Sequence, residues 1–289
     1  VNNNHIVVTG SNGQVGQSIK LLSDLYPDVK FSFLTKDDLS ISDKESLSLF
    51  FKNQSPTVLI NCAAYTAVDK AESEQELALE INATAVETLA SICKEFNTRF
   101  IHISTDYVFD GNASISYKES DATNPVNFYG FTKLQGENLA LAANPYTVIV
   151  RTSWVYAPHG KNFVKTMLKL MQDRTELNVV GDQFGSPTYA PDLAETLLKI
   201  ALSTHFVPGI YHFSNVGIIS WFDFATAIAE ISHSTCKVNA ITTAQYPTPA
   251  KRPFYSGLDK SKIQADYGIA LCPWRESLQT CIMQIRLEN

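Results

Sequence analysis

Along the first half of the chain, short apolar runs alternate with amphipathic stretches at the interval of a strand followed by a helix. Residues 5–8, 29–34, 57–61, 99–104 and 146–151 read as strands. Residues 17–22, 44–52, the stretch from 80 to 96, and 129–140 read as the helices between them. The run 57–61 is apolar almost throughout, as expected of a strand covered on both faces. This rhythm predicts a right-handed βαβ series, hence an α/β fold with a Rossmann-like, doubly wound parallel sheet whose ligands sit beyond the carboxyl ends of the strands.

The rhythm weakens after Trp154. Helices are expected at 163–171, 192–201 and 221–231, strands at 177–180 and 209–214, and irregular, proline-rich chain around 246–253. A polar, glycine- and proline-punctuated surface excursion is expected at 110–125. The pattern divides the chain into residues 1–151, mainly the sheet domain, and 152–289, mainly a smaller C-terminal lobe, with some segments returning to the sheet domain.

Between the first strand and helix lies Gly10-Ser11-Asn12-Gly13-Gln14-Val15-Gly16. At a strand-to-helix junction, Gly10 suits a tight turn, Gly13 a pyrophosphate approaching the helix N-terminus, and Gly16 close packing of helix on sheet. The spacing G-x-x-G-x-x-G is also that of an ordinary turn before an amphipathic helix. After the second strand comes Thr35-Lys36, with the acids following later; this order favours a 2'-phosphate, and hence NADPH ahead of NADH. Ser104, Thr105 and Asp106 close the fourth strand, where either ligand contacts or simple turn capping would use them. Tyr129 and Lys133, four apart on a helix, share one face; a phenol donor beside an ammonium suits proton transfer, and the cation should lower the phenol pKa.

Composition narrows the classes. The 289 residues carry a net charge of -6 and no basic run, which argues against a nucleic-acid partner. Five scattered cysteines without a C-x-x-C pair read as reduced thiols of a cytoplasmic protein. No apolar stretch is long enough for a membrane span, and polar residues lead straight into the first strand, so export is not expected. The six histidines show no metal-ligand spacing, and no G-x-S-x-G elbow is present.

Taken in order, these motifs resemble the extended short-chain dehydrogenase/reductase superfamily, and within it the dTDP-4-dehydrorhamnose reductases. The resemblance rests on Gly13-Gln14-Val15-Gly16, the run from Asn61 to Glu72, Ser104 to Gly111, Tyr129-Gly130-x-Thr132-Lys133, Arg151 to Tyr156, Gly181-Asp182-Gln183-x-Gly185-x-Pro187-Thr188 and Arg252-Pro253. It implies NAD(P)H-dependent reduction of the C4 keto group of dTDP-4-dehydro-L-rhamnose, a nucleotide sugar, to dTDP-L-rhamnose. Residues 1–151 would then be mainly the NAD(P)-binding domain and 152–289 mainly the substrate-binding lobe. By that resemblance Tyr129 protonates the C4 oxygen, Thr105 polarises the carbonyl, and Lys133 holds the cofactor ribose. Cofactor contacts fall to Gly10, Asn12, Gly13, Gln14, Val15, Gly16, Lys36, Ser40, Ile41, Cys62, Ala63, Ala64, Tyr65 and Asn82, besides Tyr129 and Lys133. Substrate contacts fall to Val68, Ser104, Thr105, Asp106, Trp154 and Arg252, the last near the diphosphate.

Two departures qualify the resemblance. Ser40 stands where many members carry an aspartate against the adenine, which leaves NADH as the alternative cofactor. Pro191 stands where some members use a carboxylate for Mg2+ at a dimer interface; neither metal nor dimer is carried over, and a monomer is expected ahead of a homodimer. The same superfamily contains 4-epimerases and 4,6-dehydratases, the latter with an Asp-Glu pair where this chain has Asp106-Tyr107. A non-catalytic relative, the similar regulatory subunit of methionine adenosyltransferase, would have no chemical need for Thr105, Tyr129 and Lys133 together.

Overall fold

The structure, a computed structural model, describes residues 4–287. Five strands, β1 (His5–Thr9), β2 (Lys30–Leu34), β3 (Val58–Asn61), β4 (Arg99–Thr105) and β5 (Val148–Thr152), join a sixth, Gly209–His212, in one parallel sheet. The order across the sheet is Gly209–His212, β5, β4, β3, β1, β2, so the chain reverses direction between β1 and β3. This is the Rossmann-like doubly wound fold, with its switch point at the carboxyl ends of β1, β3 and β4.

Alternation along the strands explains the two helical layers. Ile6, Val8, Ile60, Ile101 and Val150 face a cluster with Ile19 and with Leu193 and Leu197 of the helix Ala190–Leu202. Val7, Leu59 and Phe100 face the other way, onto Leu47, Phe51, Val86, Leu89 and Ala140. A period-two strand buried on both faces needs apolar residues at nearly every position, hence the continuous runs in the sequence. The smaller lobe has its own core, in which Phe163–Asp173, Trp221–Ser232 and Trp274–Leu287 pack against a parallel pair, Glu176–Val180 with Lys237–Ile241.

Several boundaries differ from the expectations. The first helix begins at Gln14 rather than 17, because Gly13 supplies the extended N-cap and Gly16 is already helical. The long helix expected from 80 to 96 contains a π-helical turn, Glu80–Thr84, before Ala85–Glu95. The excursion at 110–125 is anchored rather than free: Tyr117 is buried, stacks on Phe109 at 4.2 Å and donates to Asp110. The proline-rich region is irregular, but the chain then forms helices Ser261–Tyr267 and Trp274–Leu287. The latter buries Ser277, Leu278, Cys281, Ile282 and Ile285, a helical stripe whose mixed polarity hides it from a hydrophobicity reading. The strand Lys237–Ile241 escaped notice because its residues alternate weakly and its partner lies 61 residues earlier in the register.

The helix Phe128–Ala143 approaches the π-helical turn so closely that a Cβ on Gly136 would fall inside the contact distance of the Asn82 carbonyl oxygen. Gly136→Ala should therefore destabilise the protein by about 1–3 kcal/mol even though alanine favours helices. Urea unfolding measures this; an alanine variant as stable as the parent would contradict the close packing.

Candidate active site

The carboxyl ends of β1, β3, β4 and β5 open into a cavity of about 860 Å³. Every residue assigned above to cofactor or substrate lines it except Gly16, Tyr65, Asn82 and Arg252. One end of the cavity is built for an anion. Gly10 adopts a φ of 63°, and a Cβ there would lie 2.5 Å from the Ala63 nitrogen, so the loop crosses the end of β3 with no room for a side chain. Gly16 packs equally tightly, its absent Cβ 2.6 Å from the Ser11 Cα. Gly13, by contrast, faces open space apart from the Gly10 oxygen at 3.2 Å. The helix it caps, Gln14–Leu22, receives no side-chain cap and has no acidic residue in its first turn. Its free N–H groups and positive dipole end suit a pyrophosphate. Lys36, Ser40 and Ile41 line the cavity beyond this helix, together with Ser42.

The other end carries the reactive side chains. Asn127 caps the helix Phe128–Ala143, accepting from the Gly130 amide at 2.8 Å and donating to the Lys251 carbonyl at 2.8 Å. The helix so fixed presents Tyr129 and Lys133 to the end of β4. Thr105 donates to Asp106 Oδ1 at 3.0 Å and accepts from the Tyr107 amide at 3.2 Å. Burial raises the Tyr129 phenol above its ordinary value; the neighbouring Thr105 hydroxyl opposes the rise, and the Asp106 carboxylate adds to it. The expected depression by Lys133 is thus overturned. Burial dominates, and Lys133 is itself pulled down to about 8 by loss of solvent, with Glu137 opposing. Lys133 Nζ bonds the Ile103 carbonyl at 2.7 Å and meets His102 Nε2 at 3.1 Å. Asp106 is pushed up to about 7 by burial, against the nearby hydroxyls of Ser256 and Thr105.

The four residues outside the cavity have identifiable roles. Gly16 is helix–loop packing. Asn82, in the π-helical turn, accepts from the Tyr65 amide and donates to the Tyr65 carbonyl and Thr132 hydroxyl, holding the strand-end segment in place. Tyr65 turns its hydroxyl to Glu74 at 2.7 Å. Arg252 is tied to Asp69 at 2.9 Å and to the Ala250 carbonyl, because the Val68–Ala71 helix brings a carboxylate to it. Sequence reasoning missed Lys161 and Trp221, both lining the cavity. Lys161 sits in an irregular loop with no motif around it. Trp221 begins a helix whose sequence gave no sign of a ligand contact, yet its ring stacks on Trp154 at 3.5 Å. Trp154 itself holds a left-handed φ of 48°, uncommon for a bulky residue.

This fold, with a glycine loop and an uncapped helix start at one end of the cavity and Thr105, Tyr129 and Lys133 at the other, defines a member of the extended short-chain dehydrogenase/reductase class. The model of the RmlD substrate binding domain family matches residues 4–287, and the chain belongs to that family. It is 42% identical over 287 residues to dTDP-4-dehydrorhamnose reductase of Aggregatibacter actinomycetemcomitans, covering 95% of this chain and 97% of the relative. A solved dTDP-4-dehydrorhamnose reductase from Clostridium acetobutylicum superposes with a TM-score of 0.94 at 41% identity, covering 98% and 99% of the two chains. That of Bacillus anthracis, in complex with NADP, gives 0.93 at 35% identity over the same shares.

The raised Asp106 pKa has a sign that can be checked. Its folded value lies above the unfolded one, so the carboxyl binds more protons in the native state, and stability falls as pH rises towards 7. Asp106→Asn removes that penalty. Relative to the parent, the variant should gain about 2–3 kcal/mol on going from pH 5 to pH 8. Urea titrations at both pH values test this; an unchanged difference would show that Asp106 ionises normally.

Proposed function

We propose that this protein reduces the C4 keto group of dTDP-4-dehydro-L-rhamnose to dTDP-L-rhamnose with a nicotinamide cofactor, NADPH ahead of NADH. The observation that carries this reading is the convergence of Thr105, Tyr129 and Lys133 on one end of a cavity whose other end is an uncapped helix N-terminus. Gly10, Gly13 and the helix start fit the pyrophosphate, and Lys36 fits a 2'-phosphate. The bound cofactor supplies the hydride. Tyr129, its phenol held protonated by burial, is the proton donor to the C4 oxygen. The Thr105 hydroxyl polarises that oxygen, and Lys133 lies one helical turn away to hold the ribose. The stacked Trp154 and Trp221 give a rigid aromatic wall for the sugar.

In this reading residues 1–151 mainly bind the cofactor and 152–289 mainly the nucleotide sugar, with Ala190–Leu202 and Gly209–His212 returning to the sheet domain. Arg252, proposed near the diphosphate, has one guanidinium nitrogen on Asp69 and another on the Ala250 carbonyl. We read the chain as a monomer ahead of a homodimer and without a bridging Mg2+, because Pro191 stands where a metal-binding carboxylate would be needed. A cytoplasmic site of action fits the reading; no helix among the described residues is long and apolar enough to cross a membrane.

Tyr129→Phe should lower kcat by roughly 10²–10⁴-fold while leaving NADPH binding within about twofold. Purified protein, the keto sugar and each cofactor in turn, followed by nicotinamide absorbance and product identification, form the assay. Folded parent protein inactive with both cofactors would refute the proposed reaction. Lys36→Ala should raise KM for NADPH by about two- to fivefold and leave that for NADH unchanged, the loss of one exposed charge contact. Equal effects on the two cofactors would take Lys36 away from the 2'-phosphate.

A further inference from the structure

The register of the central sheet places Thr9 opposite Asn61 and Asn61 opposite His102, a polar row crossing β1, β3 and β4. Lys133 stands at the end of the row, and all four side chains are buried. Thr9 Oγ1 donates to Asn61 Oδ1 at 2.6 Å, and the Ala63 amide donates to the same oxygen at 3.1 Å. Asn61 Nδ2 lies 3.0 Å from His102 Nδ1, and His102 Nε2 lies 3.1 Å from Lys133 Nζ.

Donor counting decides where the protons are. A backbone N–H only donates, so the Ala63 contact fixes which end of the Asn61 amide is oxygen. The Asn61 nitrogen therefore donates to His102 Nδ1, which has to accept. A neutral imidazole that accepts at Nδ1 carries its proton at Nε2. That N–H points at Lys133, where an ammonium has three donors and no lone pair, whereas an amine has a lone pair to offer. The chain closes with every group satisfied when Lys133 is an amine, accepting from His102 and donating to the Ile103 carbonyl.

We propose that His102, oriented by Asn61, is a positioning residue that donates its Nε2–H to Lys133 and biases that lysine towards the neutral amine. Loss of solvent around Lys133 acts in the same direction, and burial keeps His102 neutral. The other groups around Lys133 do not reverse the bias. Tyr129, one turn back on the same helix, is a protonated phenol. Glu137, one turn on, favours the ammonium but is committed to Arg151 of β5 at 2.6 Å. Asp106, beyond the end of β4, is itself shifted towards its neutral form.

The charge of Lys133 is thus conditional, and His102 sets the pH at which it appears. Any role of that charge in turnover rests on the reductase reading given above; the proton position on His102 does not. Neither measurement below contains substrate, so failure of the reductase reading would show only in the turnover assay.

In protein labelled with 15N in its histidine rings, the His102 signals, identified by their loss in His102→Gln, should show protonated Nε2 and bare Nδ1. Lys133, followed by the 13C signal of its Cε, should titrate at about 8. His102→Gln offers the ammonium a carbonyl acceptor in place of a competing donor, and should raise that midpoint by about one pH unit or more. Asn61→Asp accepts from Nδ1–H, so it should reverse the tautomer and raise the midpoint likewise. A parent His102 protonated at Nδ1, or a Lys133 midpoint unmoved in both variants, would overturn the proposal. Should His102→Gln fail to fold, the parent tautomer, assigned through Asn61→Asp, still decides the matter.

Discussion

The buried ion pair between Glu137 and Arg151 is the interaction on which the site depends. Both side chains are almost wholly excluded from solvent, and three contacts of 2.6–3.2 Å join them in a fork. Glu137 belongs to the helix carrying Tyr129 and Lys133, and Arg151 belongs to β5, so the pair clamps the reactive helix to the sheet. Removing either partner from such a pair leaves an uncompensated charge, at about 3–5 kcal/mol. The face of the guanidinium lies over the Phe109 ring at 5.0 Å, which offsets part of the cost of burying it. Because the charges are matched to each other, the pull of Glu137 on Lys133, one turn away, does not outweigh burial.

That arrangement puts the two halves of the cavity under different constraints. The anion end is steric: Gly10 and Gly16 remove side chains so that a loop and a helix start can lie against the end of β3. The reactive end is electrostatic: Tyr129, Asp106 and Lys133 are all displaced towards their neutral forms by burial. The phenol is thereby held protonated, while Asp106 and Lys133 take up their charges less readily than exposed groups would. The wall opposite is aromatic and rigid, since Trp221 stacks on a Trp154 whose backbone is already held in an uncommon conformation.

Much of this was legible in the residues. Strands buried on both faces must be apolar throughout, so β1, β3, β4 and β5 announced themselves, and with them the parallel sheet and the edge where ligands sit. The glycine loop, Thr105 and the Tyr129–Lys133 pair stood at recognisable spacings because each is a local device of a turn or a helix. Less visible were elements whose stability comes from partners distant in sequence. The strand Lys237–Ile241 exists through its pairing with Glu176–Val180, and the helix Trp274–Leu287 through a stripe that packs into the second core.

The sequence by itself determined the alternation of strands and helices and marked Thr105, Tyr129 and Lys133 as candidates, since period and local spacing are properties of neighbouring residues. Only the tertiary structure decided what state those side chains are in. The Tyr129 phenol is raised rather than lowered, Arg252 is turned to Asp69, and His102 stands between Asn61 and Lys133. Burial and hydrogen-bond direction depend on which strands lie side by side and on what closes over them, and those are set by contacts across the whole chain.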